Sequence, residues 1–142
     1  MATTIKGVVG GGLTISASPA TIDIPTGYLV DEEDTFDNSI TITITIPNGV
    51  KVIEVFAEAS ANYDNPDYDV WLNIFSNNKP WYDGSSNGDD VVAFTGYIGV
   101  TPNKQYSITV YTNMHVGRST IDRFYIRYSP EINNQTPTVT DY

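Results

Sequence analysis

The stretch Ile40-Thr41-Ile42-Thr43-Ile44-Thr45-Ile46 decides the fold class, because isoleucine and threonine alternate along its whole length. Successive side chains of a strand point to opposite faces of a sheet, so a period of two places the isoleucines on one face and the threonines on the other. The stretch is therefore predicted to be a half-buried β-strand. Pro47-Asn48-Gly49 supplies a turn, and a second apolar face follows, so we predict that the two segments form a β-hairpin. The second face consists of Ile53, Val55, Ala57 and Ala59.

Further alternating segments are separated by clusters of Asn, Asp, Gly and Pro. The downstream segments are Val70 to Phe75, Val91 to Val100, Gln105 to Met114 and Arg123 to Tyr128. The upstream segments are shorter and are Thr4 to Val9, Leu13 to Ser16 and Thr21 to Ile24. No window of ten residues has helical periodicity. A series of about seven to nine short strands predicts one all-β domain, an antiparallel β-sandwich with either immunoglobulin-like or jelly-roll topology.

Three parts are predicted within this domain. Residues 1–30 form an N-terminal arm with short strands, residues 31–128 form the sandwich core, and residues 129–142 form an extended C-terminal arm. Pro130 and Pro137 disfavour a helix in the last part, which also has few apolar side chains to bury. Each arm could lie along a neighbouring subunit.

Tyr106 has the sequence context of a tyrosine corner. Thr101-Pro102-Asn103-Lys104-Gln105-Tyr106 places a tyrosine after a proline-containing turn, at the start of an alternating strand. In immunoglobulin-like sandwiches such a tyrosine bonds back to the backbone of the corner. We therefore predict that Tyr106 is a tyrosine corner.

Charge and composition exclude several functions. Seventeen acidic residues against seven basic ones give a net charge of −10, which disfavours nucleic acid and anionic membranes as partners. The chain has no cysteine, and neither a signal peptide nor an apolar run of membrane-spanning length is evident. We expect synthesis in a cytoplasm and no secretion.

No catalytic set is evident in the sequence. The one histidine, His115, has no motif around it that supplies a nucleophile or an orienting acid. A glycosidase would need two carboxylates held in a cleft, whereas the acids here sit in turn-like sequence. We expect that the protein is not an enzyme.

The acidic clusters are candidate calcium loops, since calcium takes oxygen ligands at short sequence spacing. The candidate ligands are Asp64, Asp67, Asp69, Asp83, Asp89 and Asp90. The alternative interpretation is that these acids lie in solvated turns, where they bond to the local backbone. Neither segment matches the EF-hand pattern.

Aromatic residues make up 12% of the chain and include a candidate ligand or interface set: Trp71, Phe75, Trp81 and Tyr82. An outward row of such side chains suits a protein interface, and it also suits a sugar platform. The third possibility is a row that is covered within the fold. The sequence leaves these three alternatives open.

Short phrases of the sequence resemble a known group of proteins. Tyr125-Ile126-Arg127-Tyr128-Ser129-Pro130 and Ile46-Pro47-Asn48-Gly49-Val50-Lys51-Val52-Ile53 are similar to phrases in small β-sandwich virion proteins of tailed phages, including phages of gut Bacteroidetes. The resemblance implies a multi-copy capsid decoration, auxiliary, tail or fibre protein whose partners are other virion subunits, located in the virion. The alternative is a carbohydrate-binding module or adhesin for host surface glycans, with calcium supporting an aromatic sugar site.

Overall fold

The computed structural model describes residues 24–33, 38–61, 69–114 and 117–142. Two sheets pack face to face, with strand orders β1-β8-β3-β6-β9 and β2-β7-β4-β5. The elements in chain order are β1 Gly27–Glu33, β2 Ser39–Thr45, β3 Val52–Ala61, β4 Val70–Ser76, β5 Lys79–Ser85, β6 Val91–Val100, β7 Gln105–Met114, β8 Ser119–Tyr128, α1 Pro130–Asn133 and β9 Val139–Asp141. The prediction of an all-β sandwich is confirmed. The strands predicted upstream of Ile24 lie outside the described residues.

The chain is arranged as one long antiparallel hairpin that is rolled up. β4 pairs with β5, β3 with β6, β2 with β7 and β1 with β8, and all four pairs are antiparallel. Successive pairs alternate between the two sheets, which is the arrangement of a jelly roll. In an immunoglobulin fold several consecutive strands share a sheet, whereas among β1 to β8 only β4 and β5 do. The structure therefore has the jelly-roll topology of the two that the sequence left open.

The core lies between the sheets and is formed by the alternating faces of the strands. On β2, Ile44 is buried, Ile40 and Ile42 are partly buried, and the intervening threonines are exposed, as the alternation predicts. The largest fully buried side chains elsewhere in the described residues include Tyr106, Phe124, Leu72, Ile53, Ile98 and Ile126.

The predicted hairpin between the isoleucine-threonine stretch and the next segment is wrong. β2 pairs with β7, whereas β3 lies in the other sheet between β6 and β8. The Ile46 N–H donates to the Lys104 carbonyl at 2.9 Å, so pairing with β7 continues to the end of β2. Gly49, at a φ of 83°, then turns the chain toward the opposite sheet. The same turn residues are compatible with a hairpin and with a crossing to the other sheet, so the local sequence does not distinguish the two.

Tyr106 confirms the predicted tyrosine corner between β6 and β7. Its side chain is fully buried, and its Oη accepts a hydrogen bond from the Thr101 N–H at 2.9 Å. The same hydroxyl donates to the backbone carbonyl of Asp141. The corner therefore occurs here in a jelly roll and also fastens the C-terminal segment.

The C-terminal segment is not the predicted extended arm. Ser129 caps the one-turn helix α1, because its Oγ accepts from the Ile132 N–H at 3.0 Å. Pro130 fits the first turn, where its missing N–H would have no intrahelical partner. Ile132 is 6% exposed and packs into the fold. The segment has few apolar residues, but burial of Ile132 helps to hold it against the fold.

β9 adds a strand to the five-stranded sheet. It pairs with β6 in parallel, with Val139 opposite Ile98 and Asp141 opposite Val100. Upstream, the Asn133 Oδ1 accepts from the Lys51 N–H at 2.6 Å and from the Val52 N–H at 3.2 Å. Side-chain hydrogen bonds therefore hold a segment whose composition alone indicated an arm.

Two further strands, β1 and β5, were not predicted from the sequence. β1 contains Asp31, Glu32 and Glu33, and β5 contains Pro80 and Gly84, which all disfavour strands locally. The β4–β5 turn is Asn77-Asn78, both at positive φ (48° and 70°), as a two-residue type I′ hairpin requires. Within the described residues, no helix is long and apolar enough to cross a membrane.

Candidate binding surfaces

The four aromatic residues predicted for a ligand or interface set do not share one surface. Trp71 and Phe75 are half-buried on the outward face of β4. Trp81 is 3% exposed, and its Nε1–H donates to the Asp141 carboxylate at 2.9 Å. Tyr82 packs against the core. Trp81 therefore matches the third alternative, a side chain that is covered within the fold.

A β-bulge explains why Trp81 and Tyr82 both face inward. Ile74 lies opposite Tyr82, but Phe75 lies opposite Pro80, so Trp81 is the extra residue on β5. A bulge breaks the strict alternation of faces, which lets two consecutive side chains enter the interior. Sequence alternation cannot reveal this, because it assigns neighbours to opposite faces.

Tyr82 closes one side of the sandwich by stacking on Phe94 of β6, with the ring centroids 4.4 Å apart and the planes at 24°. Each ring lies over a glycine of its own strand. A Cβ at Gly84 would be 2.0 Å from the Tyr82 Oη, and a Cβ at Gly96 would be 2.4 Å from the Phe94 ring. These glycines make room for the rings, so Tyr82 has a packing role.

The predicted calcium ligands are spread over different structural settings. Asp83 is exposed within β5, and Asp69 immediately precedes β4. Asp89 and Asp90 follow a turn at Asn87-Gly88, in which the Asp89 N–H donates to the Ser86 carbonyl at 3.3 Å. This bond joins two backbone groups and does not involve a carboxylate.

The remaining candidates, Asp64, Asp67 and His115, lie outside the described residues. Within the described ranges, no group of three or more His, Cys, Asp or Glu side chains could hold a metal ion. The calcium site therefore stays a prediction.

The outward face of the β4–β5 hairpin has a shallow depression of about 340 Å³. Asn73 and Phe75 of β4 line it together with Asp83 of β5. Three of the predicted residues, Phe75, Tyr82 and Asp83, line it together. Trp71 does not line it.

A second surface, which the sequence analysis did not single out, lies on the outward side of the five-stranded sheet. We call it the arginine-tyrosine face and define it by Tyr28, Glu54, Phe56, Arg123, Tyr125 and Arg127. Three strands contribute: β1, β3 and β8. Across β3 and β8, Glu54 lies opposite Arg127 and Phe56 lies opposite Tyr125. Strand register alone therefore brings these side chains together.

Tyr125 is at the centre of this face. Its ring stacks on Phe56, with centroids 5.1 Å apart and planes at 16°, and meets the edge of Tyr28 at 5.7 Å. The guanidinium carbons of Arg123 and Arg127 lie 5.0 Å and 5.9 Å from its centroid, within cation–π range. Each contact restricts the ring, so the face presents a preorganised aromatic centre.

Ion pairs fix the two arginines. Arg123 pairs with Asp31 at 3.2 Å, and the Arg127 Nε–H donates to the Glu54 carboxylate. Glu54 is 6% exposed, which is unusual for a carboxylate, and its hydrogen bond raises the pKa of Arg127. Burial and then the charge of Glu54 raise the pKa of Tyr125. Both side chains therefore keep their usual charge states at neutral pH.

A cavity of about 300 Å³ opens at the end of the arginine-tyrosine face, where β8 runs into α1. Glu54 and Arg127 reach it from the sheet, Tyr97 from β6, Tyr128 from the end of β8, and Glu131 and Gln135 from the C-terminal segment. Its lining is mainly polar. The folded C-terminal segment therefore builds one wall of the cavity.

The residues of this surface follow a regular pattern in the sequence. Arg123, Tyr125 and Arg127 alternate with apolar residues, as do Glu54, Phe56 and Glu58. The predictions were based on the apolar face of each strand, so the residues of the opposite face did not contribute to them. Which strands become neighbours depends on the topology, so the meeting of these residues could not be read from local patterns.

No known family model matches the chain. No curated protein matches it either. The surfaces described above are therefore judged on their own chemistry.

Proposed function

We propose that the protein is a non-enzymatic structural protein of a phage virion, a capsid decoration, auxiliary, tail or fibre component that binds neighbouring virion subunits. The role is supported by the resemblance of short sequence segments to small β-sandwich proteins of virions. The jelly-roll topology is compatible with it, since viral capsid domains use this fold, as do lectins. A fold alone does not determine a function, whereas the chemistry of a surface limits what can bind to it.

The observation that carries the proposal is the arginine-tyrosine face. Tyrosine and arginine are enriched at protein interfaces and among the residues that contribute most to binding. Here Tyr125 is held by Phe56, Tyr28 and the two arginines, so little side-chain freedom is lost when a partner docks. An aromatic and charged sheet face of this kind suits another protein surface.

The docking test uses particles assembled with a variant chain. Tyr125→Ala removes the central ring, and loss of an interface residue of this type costs about 2 kcal/mol, or roughly thirtyfold in affinity. We expect strongly reduced incorporation into particles, measured by quantitative mass spectrometry. Tyr111→Ala is the matched control, because Tyr111 is half-buried on the outward face of the other sheet.

A second variant separates docking from folding. Arg123→Gln keeps a long polar side chain but removes the charge over Tyr125, and Arg118→Gln is its exposed control. We expect Arg123→Gln to reduce incorporation while its unfolding midpoint stays near that of the wild type. Normal incorporation of both Tyr125→Ala and Arg123→Gln would exclude this face as the docking surface.

The sugar site predicted at Trp71, Trp81 and Tyr82 loses support at that position. Trp81 is buried between the sheets, and the partly buried Tyr82 reaches only the depression that Trp71 does not line. Calcium-dependent binding through the acidic loops remains a prediction, which a glycan array with and without chelator tests.

A further inference from the structure

The cavity at the end of the arginine-tyrosine face brings together polar groups from separate parts of the chain. Tyr97 lies on β6, Glu54 on β3 and Arg127 on β8, and Gln135 follows α1. These positions are 81 residues apart along the sequence at their extremes, as the difference between 135 and 54 gives. Local turn chemistry does not explain such convergence.

Glu54 and Arg127 line one wall of the cavity and form an ion pair, so their charges balance. The Glu54 side chain is 8% exposed, whereas that of Arg127 is 41% exposed. Arg127 uses its Nε–H toward Glu54. A guanidinium has five N–H donors in a planar fork, so the terminal donors of Arg127 remain for a ligand.

The remaining lining selects the chemistry of the ligand. Glu131 adds a second carboxylate to the lining of the cavity, which disfavours an anion. Tyr97, Tyr128 and Gln135 add hydroxyl and amide groups, which disfavours a purely apolar molecule. The Gln135 Nε2 donates one N–H to the Glu131 carbonyl at 3.5 Å, so its second N–H and its Oε1 remain for a ligand. A neutral molecule with many hydroxyls satisfies donors and acceptors together, and the tyrosine rings can pack against its C–H face.

The size limits the ligand further. At about 300 Å³ the cavity is at the lower end of the range of small-molecule sites. We propose that this cavity binds one ring of a neutral saccharide, with Arg127 and Gln135 as its principal hydrogen-bonding side chains. This role goes beyond the proposed docking function and does not depend on it.

The test is a chemical-shift titration of the isolated full-length chain. The probes are glucose, galactose, mannose and N-acetylglucosamine at millimolar concentration, with glucuronate as the anionic comparison. We expect at least one neutral sugar to shift the amide signals of Tyr97, Tyr128 and Gln135, and glucuronate to bind more weakly.

Two variants assign the contacts. Gln135→Ala should weaken the binding of that sugar by roughly fivefold, the value of one hydrogen bond. Gln105→Ala, an exposed glutamine on β7, should leave it unchanged. Arg127→Lys keeps the positive charge beside Glu54 but loses the planar fork, so we expect binding to fall below detection. The unfolding midpoint of each variant shows that it is folded.

Three outcomes would overturn the proposal. They are no shift with any neutral sugar, shifts confined to the depression at Asn73 and Phe75, and equal binding by the Gln135→Ala and wild-type chains. Glucuronate that binds as well as the neutral sugars would contradict the assignment of a neutral ligand. Because docking is tested by Tyr125→Ala and Arg123→Gln in particles, failure of one proposal leaves the other standing.

Discussion

Replacing Tyr106 by phenylalanine removes a single oxygen atom from the corner of the fold. The ring stays, so the core keeps its volume and no large cavity forms. Two hydrogen bonds are lost: the one accepted from the Thr101 N–H and the one donated to the Asp141 carbonyl. The first belongs to the β6–β7 corner and the second to the C-terminal segment.

The expected loss follows from these two bonds. A hydrogen bond contributes about 1 kcal/mol net, and a buried group left without a partner costs about 1–3 kcal/mol. Thr101 and Asp141 are both partly exposed, so water can replace some of the lost bonding. We expect a loss of roughly 2 kcal/mol in the free energy of unfolding, or a fall of about 4–8 °C in Tm for a domain of this size.

Urea unfolding followed by tryptophan fluorescence measures this loss, since Trp81 lies 6.3 Å from the Tyr106 ring. Tyr28→Phe is the matched control, because Tyr28 is 52% exposed. Hydrogen exchange should show faster exchange of β9 in Tyr106→Phe than in the wild type. A change below about 0.5 kcal/mol, the usual range for surface substitutions, would refute the reasoning that the hydroxyl fastens both segments.

Three further outcomes are expected. Ile132→Ala should lower the free energy of unfolding by about 2 kcal/mol, the lower end for a buried isoleucine, and should speed hydrogen exchange in β9, whereas the exposed Glu131→Ala should do neither. Gly84→Ala should lower Tm and shift the NMR signals of Tyr82, because the added methyl group would overlap the Tyr82 hydroxyl. Burial raises the pKa of Tyr125 above its ordinary value of 10.0, so its contribution to stability is present below that pH and is lost as the pH rises through the raised pKa. In urea unfolding, the advantage of the wild type over Tyr125→Phe should therefore shrink above about pH 10, and a constant difference would contradict this.

The strands that alternate strictly could be predicted from the sequence. Val91 to Val100 and Gln105 to Met114 match β6 and β7 at both ends, and the tyrosine corner at Tyr106 is present. In β7 burial follows residue parity along the whole strand, and parity is a local property. The fold class followed from them.

The incorrect predictions concern properties that depend on distant contacts. The turn after Ile46 crosses between sheets because β7 is the partner of β2, and β7 lies far along the chain. Trp81 enters the interior through a bulge, where alternation fails. The C-terminal segment folds because Asn133 and Asp141 find partners at Lys51 and Trp81. None of these partners could be inferred from local composition.

The candidate surface was missed for a related reason. Its residues alternate in sequence, but they become a surface only when β8 pairs with both β1 and β3. Topology sets these neighbours, and two topologies were compatible with the sequence. A reading of both faces of each strand would have found Tyr125 and its arginines, although not their partners.

The most direct test of the proposed docking role is a cryo-electron microscopy reconstruction of the tailed-phage particles to which we propose that the chain belongs. The account predicts density for the jelly roll in many copies, with Tyr125 and Phe56 against a neighbouring virion subunit. Particles that lack the chain, or a bound chain whose arginine-tyrosine face is open to solvent, would contradict it.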